Sequence, residues 1–185
     1  MLKIKKLYPD SKIPTRAYPT DSGLDLYAYL PDGEIKLLPV ISKGKTITVE
    51  DISGEGRFVD IEDRVIQQFS VTIPTGIAIE LPQARTIVLE SDNTRRTLVE
   101  EAQIRGKSGL ASKGIAAHWG TGDNPYVGEL KVILTNIGST EPFVISHGMK
   151  IAQLVIQTVL IPEIKIVEEL ANTDRGVNGF GSTGI

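Results

Sequence analysis

The chain has 185 residues, carries a net charge of −3 at pH 7 and contains no cysteine. This length suffices for one domain with its own core, and the lack of cysteine excludes disulfides, thiolate metal sites and a thiol nucleophile. The charge gives no broad basic surface, so we expect no direct binding to nucleic acid. We find neither a signal peptide nor a run of membrane-spanning length, and therefore expect a cytoplasmic protein without a membrane partner.

Short alternating stretches, with many glycines and prolines and few aromatic residues, predict an all-β fold. Residues 58–69 fit a strand and a short helix equally well. The predicted strands are, in chain order, 1–8, a short strand around 24–26, 46–49, 76–81, 86–90, 130–136, 142–145 and 151–156.

The first polar group of interest is Asp25, which stands between Leu24 and Leu26. If the leucines face the core, strand alternation turns the carboxylate the other way. Taken alone, the pattern favours a solvated carboxylate on a strand.

The stretch 103–115 combines glycines, serine hydroxyls and three cationic side chains. Its central residues are Lys107, Ser108 and Gly109. Backbone N–H groups, hydroxyls and ammonium groups together suit a polyphosphate. The spacing is not that of a Walker A loop, and a basic turn between strands is the alternative.

A turn-rich segment follows, with Gly120, Asp123 and Tyr126 ahead of the alternating strand 130–136. Turn residues before a period-2 run predict a tight hairpin that feeds a half-buried strand. Asp123 would then lie on a loop anchored by a sheet, as functional carboxylates often do. The alternative is an Asx turn with no further role.

Three more polar side chains stand in or near the later strands. Gln153 interrupts the apolar run 151–156, and since an unpaired buried amide is costly, structural pairing and ligand recognition both stay open. His118 and His147 lack a metal-type cluster, and we interpret both as ordinary.

The C-terminal segment 172–185 has no periodicity and cannot form a core, so it is predicted to be a mobile arm. An inert tail is the simpler reading. Its Arg175 and Phe180 nevertheless bring a charge and a stacking face together.

In this order, the segments resemble the five motifs of the homotrimeric deoxyuridine triphosphatases (dUTPases). The resemblance covers nearly the whole chain, and five motifs in order are a far more specific signal than any one of them. The matching stretches are SGLDL at 22–26, KSGLA at 107–111, GTGDNPYVGE at 120–129, GMKIAQL at 148–154, and DRG at 174–176 with GFGS at 179–182.

The resemblance implies an all-β, jelly-roll-like core over residues 1–171 and a flexible glycine-rich arm over 172–185 that completes the active site. It implies a homotrimer with sites at subunit interfaces. The implied reaction is Mg²⁺-dependent hydrolysis of dUTP to dUMP and pyrophosphate, which limits uracil in DNA and supplies dUMP for thymidylate synthesis.

The resemblance also implies residue roles. Asp123 would activate the water that attacks the α-phosphorus, and Tyr126 would pack against deoxyribose and exclude a ribose 2′-hydroxyl. Asp25 would act on the metal through water, with Mg²⁺ held mainly by the substrate phosphates. The remaining implied substrate-binding positions are Lys107, Ser108, Gly109, Gly120, Gln153, Arg175, Phe180, Gly181 and Ser182.

The chain departs from the family pattern in several places. Lys107 stands where arginine is usual, which keeps the charge but loses the bidentate fork. Gly122 and Pro125 replace more typical residues beside the hairpin carboxylate. The distance between the first two motifs also predicts extra loops near 42–68 and 85–98.

Two other functions compete with this one. The dCTP deaminases share the fold but carry a glutamate where this chain has Ile133, which disfavours deamination. A regulatory or interaction protein acting through the inserted loops is the alternative of a different class.

Overall fold

The computed structural model of the chain describes residues 1–37, 70–89, 94–139 and 141–177. These residues form eleven strands and one four-residue helix, α1, at Ser108–Ala111. The strands are β1 Lys3–Lys6, β2 Gly23–Tyr27, β3 Glu34–Leu37, β4 Ser70–Glu80, β5 Arg85–Leu89, β6 Thr94–Arg105, β7 Ile115–Ala117, β8 Gly120–Gly122, β9 Glu129–Asn136, β10 Phe143–Ser146 and β11 Lys150–Ile161. The prediction of an all-β chain is confirmed.

Two larger sheets share one core. The first has the order β1-β4-β9-β7, and the second has the order β2-β11-β6-β5 with β8 also paired to β6. Strands β10 and β3 form a separate pair. Apolar side chains of both larger sheets belong to a single buried cluster, as in sheets that pack face to face.

Strand β9 shows how the alternating pattern builds this core. Leu130, Val132 and Leu134 are buried while Lys131 and Ile133 are exposed, as the sequence predicts.

The end of the same strand departs from simple alternation. Thr135 belongs to the outward face but is 2% exposed. Strand β7 pairs alongside it, and its hydroxyl lies 2.6 Å from Nε2 of His118. Burial at this position is therefore set by a neighbouring strand and a histidine, which local alternation does not reveal.

The remaining strand predictions hold with changed lengths. Strands β1 and β10 overlap the predicted stretches 1–8 and 142–145, and residues 76–80 end a β4 that begins at Ser70. Strand β11 continues to Ile161 because it stays paired with β6 to that point.

The two inserted segments have different outcomes. The stretch near 85–98, expected to be a loop, instead contributes strand β5 and the start of β6, which pair with each other. The strand predicted at 86–90 is confirmed by β5, whereas the loop expectation was wrong because residues 94–98 pair with β5. Thr97 and Leu98 pair with β11 as well. The segment 42–68 lies outside the described residues, as does the undecided stretch 58–69.

Across the described part of the chain, no helix has the length and hydropathy needed to cross a membrane.

Candidate active site

The predicted hairpin is not formed, because β8 pairs with β6 in the second sheet while the following strand β9 pairs with β4 and β7 in the first. Asp123 lies instead on the connection between the two sheets, residues 120–128, which we call the Asp123 turn. Strand β8 pairs with β6 in the register Gly122 to Ala102 and Gly120 to Ile104. The turn closes through the backbone, because the N–H of Tyr126 donates to the carbonyl oxygen of Asp123 at 2.9 Å. The carboxylate of Asp123 is left at the exposed surface of the turn.

The side chain of Tyr126 is fixed by contacts with residues 128 and 129. Its hydroxyl donates to the backbone oxygen of Glu129 at 3.0 Å. A Cβ atom on Gly128 would lie 2.5 Å from that hydroxyl oxygen and 2.6 Å from Cζ of the ring. Glycine at position 128 therefore makes the room that the tyrosine ring occupies.

A pocket of about 290 Å³ opens beside these two residues. Most of the residues that line the pocket belong to β8 and the Asp123 turn, and the others belong to β6 and the start of β9. Its lining residues are Ile104, Gly120, Thr121, Gly122, Asp123, Tyr126, Glu129, Leu130 and Lys131.

The unusual Gly122 has a packing explanation in this geometry. A Cβ atom there would lie 3.1 Å from Cβ of Ala102 and 3.4 Å from its backbone oxygen. The close approach of β8 to β6 thus favours glycine before the carboxylate.

Asp25 lies in a second cluster, and its surroundings contradict the solvated reading. The residue is 5% exposed, between the equally buried Leu24 and Leu26. Its Oδ1 pairs with the ammonium of Lys107, and its Oδ2 lies 2.8 Å from Nζ of Lys150. A carboxylate this buried needs such partners to remain charged.

The two lysines decide the protonation of Asp25. Burial alone would raise the pKa of Asp25, but hydrogen bonds and charges from Lys107 and Lys150 outweigh it and lower the pKa below its ordinary value. The hydrogen bond to Asp25, followed by its charge, raises the pKa of Lys150 in turn.

Sequence reasoning gave Lys150 no role. It starts β11 and pairs in register with Tyr27, two positions along β2 from Asp25. Only the β2–β11 register, which shifts between Lys150 and Ala152, brings the ammonium to the carboxylate. No local pattern signals such a contact.

Gln153 stands at the centre of one row of strand residues. Its register partners are Asp25 on β2 and Arg105 on β6. Its side chain is half-buried, and a Cβ on Gly23 would lie 3.1 Å from its Cδ. This row therefore joins the first and fourth predicted motifs, and Lys107 of the second reaches the row through its ion pair with Asp25.

The other predicted positions are placed as follows. Ser108 and Gly109 are exposed at the start of α1, directly after Lys107. Arg175 lies in the exposed stretch 162–177 that follows β11. The predicted Phe180, Gly181 and Ser182 lie outside the described residues.

The Asp123 turn and the Asp25 cluster lie apart within one subunit. Strands β11 and β6 stand between β2, which carries Asp25, and β8, which leads to Asp123, so β2 and β8 are three strand spacings, or about 14 Å, apart. The pocket lining includes Gly120, Asp123 and Tyr126 but neither Lys107 nor Gln153.

The donor set suits a metal bound indirectly. Among residues 1–37, 70–89, 94–139 and 141–177, no three histidine, aspartate or glutamate side chains come together to hold a metal ion. Asp25 stays ionised, and each of its oxygens keeps a further lone pair beyond its lysine contact. These residues fit a cation reached through water.

Both histidines have structural partners. Nε2 of His118 lies 2.6 Å from Oγ1 of Thr135, and Nδ1 of His147 accepts a hydrogen bond from the backbone N–H of Leu30 at 3.1 Å. Their interpretation as ordinary residues agrees with these contacts.

Comparison with known proteins gives the family. The dUTPase family model matches residues 63–184. A deoxyuridine 5'-triphosphate nucleotidohydrolase of Clostridioides difficile is 35% identical, over 99% of this chain and 97% of the relative. One from Crocosphaera subtropica is 38% identical, over 100% of this chain and 99% of the relative.

Solved structures agree on the fold. A variant dUTPase of Staphylococcus bacteriophage 80alpha, solved with dUpNHpp, matches with a TM-score of 0.67 and 22% identity over 100% of this chain and 99% of its own. A phage phi11 dUTPase of S. aureus, described with a structural Mg(II) ion, matches with a TM-score of 0.62 and 20% identity over 93% and 99%. The fold is thus that of dUTPase structures. This chain belongs to the dUTPase family.

Proposed function

We propose that this protein hydrolyses dUTP to dUMP and pyrophosphate by attack of water on the α-phosphorus. The observation that carries the proposal is the pairing of an exposed Asp123 with Tyr126 on one hydrogen-bonded turn beside a pocket of about 290 Å³. Family membership adds the substrate class. The reaction would limit uracil in DNA and supply dUMP.

Asp123 serves as the general base in this proposal. A single carboxylate suffices to orient a water molecule and accept its proton. Because β8 and the backbone bond from Tyr126 fix the turn, the carboxylate needs little rearrangement before the reaction.

The phosphates are assigned to the residues around Asp25. An ammonium group has three N–H donors, so Lys107 can keep its contact with Asp25 and still donate to phosphate oxygens. Ser108, the backbone of Gly109 and Gln153 supply neutral donors beside it. Mg²⁺, held mainly by the phosphates and reached by Asp25 through water, would neutralise charge that develops during the reaction.

Sugar recognition is assigned to Tyr126. Its ring is fixed by the contact of its hydroxyl with Glu129 and by the space over Gly128. A ring held in this way can pack against deoxyribose and leave no room for a 2′-hydroxyl. Gly120 and its neighbours on β8 would present backbone groups to uracil.

A second copy of the chain completes the site. The separation of about 14 Å between β2 and β8 supports this step, because the residues assigned to phosphate do not line the pocket beside Asp123 of the same subunit. The base and the phosphate residues of one site would then come from different subunits. We propose a homotrimer, with Arg175, Phe180, Gly181 and Ser182 of the arm closing over the nucleotide. A cytoplasmic location stays a prediction of the sequence.

The direct test compares dUTP, dCTP, dTTP and UTP with Mg²⁺ present. We expect pyrophosphate release from dUTP and far less from the other three. Equal turnover of UTP would contradict the role of Tyr126. Ammonia release from dCTP would contradict the reaction type, and the exposed Ile133 offers no proton acceptor for it. Light scattering that finds an active monomer would exclude the shared site.

A further inference from the structure

Asn124, the residue directly after Asp123, lies within the predicted motif 120–129 but was given no role there, and its side chain forms two hydrogen bonds. Its Nδ2 donates to the backbone oxygen of Pro82 at 2.7 Å and to the backbone oxygen of Glu100 at 3.1 Å. Both N–H bonds of the amide are therefore used.

The orientation of this amide is determined by its partners. Carbonyl oxygens only accept hydrogen bonds, so the nitrogen of Asn124 must be the atom that faces Pro82 and Glu100. The two acceptors belong to different segments, one just past β4 and the other within β6. The side chain of Asn124 thus joins the Asp123 turn to both of these segments.

The acceptor on β6 is itself well fixed. The Glu100 side chain is 11% exposed, and its Oε1 lies 2.5 Å from Nη1 of Arg85 on β5. The backbone of Glu100 also continues the long pairing of β6 with β11, opposite Thr158. The contact from Asn124 is made to a rigid part of the sheet.

The register explains why a side chain makes this contact. Gly122 pairs with Ala102, so two residues further on Asn124 comes opposite Glu100. The next residue, Pro125, has no N–H to donate. The last residue pair between β8 and β6 is Gly122 with Ala102, and the side-chain amide of Asn124 continues the attachment to β6 beyond it.

We propose that Asn124 is a positioning residue, whose two hydrogen bonds hold the Asp123 carboxylate in place for attack by water. The proposal rests on the proposed function, because it assigns Asp123 the role of base. Asn124 need not touch the substrate to act in this way.

The test compares Asn124→Ala with Gln83→Ala, which removes an exposed amide from the residue beside Pro82. Four quantities are measured for each variant: kcat with dUTP, KM with dUTP, the Kd for a non-hydrolysable dUTP analogue, and amide hydrogen exchange over residues 119–129. The same Asn124→Ala change is then made on top of Asp123→Asn.

We expect Asn124→Ala to lower kcat on the order of 10²-fold, the loss typical of a misplaced catalytic group. KM and the Kd for the analogue should stay close to the original values, exchange over 119–129 should rise, and Gln83→Ala should change none of these quantities. In the Asp123→Asn background, Asn124→Ala should change kcat by less than about twofold, because the group it positions is already lost.

Losses that simply multiply in the double variant would overturn the positioning role, as would an unchanged kcat in Asn124→Ala. If amide hydrogen exchange over residues 119–129 does not rise in Asn124→Ala, the two hydrogen bonds do not hold the Asp123 turn. If the unaltered protein fails to hydrolyse dUTP, the proposed function falls, and with it the role of Asn124 in placing a catalytic base. The exchange measurement then still decides whether Asn124 anchors the Asp123 turn.

Discussion

The ammonium of Lys150 lies 2.8 Å from Oδ2 of Asp25, although the first residue begins β11 and the second lies in β2. Lys107 occupies the other carboxylate oxygen. One buried charge thus ties three segments together beside the residues assigned to phosphate.

The first prediction concerns the stability that this cluster provides. Asp25→Asn keeps the shape but leaves two ammonium groups without their counter-charge. We expect the free energy of unfolding at pH 7 to fall by about 1–3 kcal/mol. The loss should stay below that of a fully buried pair, because the Lys150 side chain is 48% exposed and can regain water. Denaturant unfolding at equal protein concentration measures it.

The pH dependence of this difference has a definite sign. The pKa of Asp25 is lowered in the folded protein, so the stabilisation is fully present above the unfolded value of about 3.9. It is lost as the pH falls through the lower folded value. The difference between the two proteins should therefore be constant near neutrality and shrink in acid below about pH 4. A difference that grows on acidification would contradict the ion-pair account.

The second prediction concerns the fit between Gly128 and Tyr126. In Gly128→Ala the new methyl would lie 2.5 Å from the tyrosine hydroxyl oxygen and must displace the ring. We expect kcat/KM for dUTP to fall by about 10-fold to 10²-fold, with a smaller preference for dUTP over UTP.

Steady-state kinetics with both nucleotides checks this prediction. Gly106→Ala is the matched control, because its methyl would meet no atom nearer than 3.8 Å. An unchanged preference in Gly128→Ala would mean that the position of Tyr126 does not select the sugar.

The Asp123 turn and strand β9 could be predicted from the sequence because their signals are local, but the predicted hairpin was wrong because β8 and β9 pair in different sheets. Turn residues around Asp123 and the alternation of Leu130, Val132 and Leu134 are both visible within a few positions. The same locality explains the identification of the other motif segments.

The burial of Asp25 could not be predicted in this way. Alternation assigned it to solvent, but Lys107 and Lys150 cover it from distant segments. The start of β6 was missed for a similar reason, since Arg95 and Arg96 become part of a strand only by pairing with β5. Register between remote strands decided both cases.

The third prediction concerns the C-terminal segment. Ending the chain after Asn172 removes Arg175 and the assigned Phe180, Gly181 and Ser182, while the last described strand ends at Ile161. We expect an unchanged Tm and oligomeric state, with kcat/KM for dUTP sharply reduced.

Thermal unfolding, light scattering and kinetics on the truncated protein check the three parts separately. Full activity would mean that the segment is an inert tail. A large fall in Tm would mean instead that it belongs to the folded core.

The most direct measurement is kcat for Asp123→Asn with dUTP and Mg²⁺, beside Asp32→Asn as a control at another exposed turn carboxylate. The amide keeps the shape of the side chain but cannot accept a proton from water. We predict a kcat lower by about 10²-fold to 10⁴-fold, with Tm and analogue binding unchanged, and no effect in Asp32→Asn. An Asp123→Asn protein that keeps more than about half of its activity, far above this range, would contradict the account and leave Asp123 as a turn residue only.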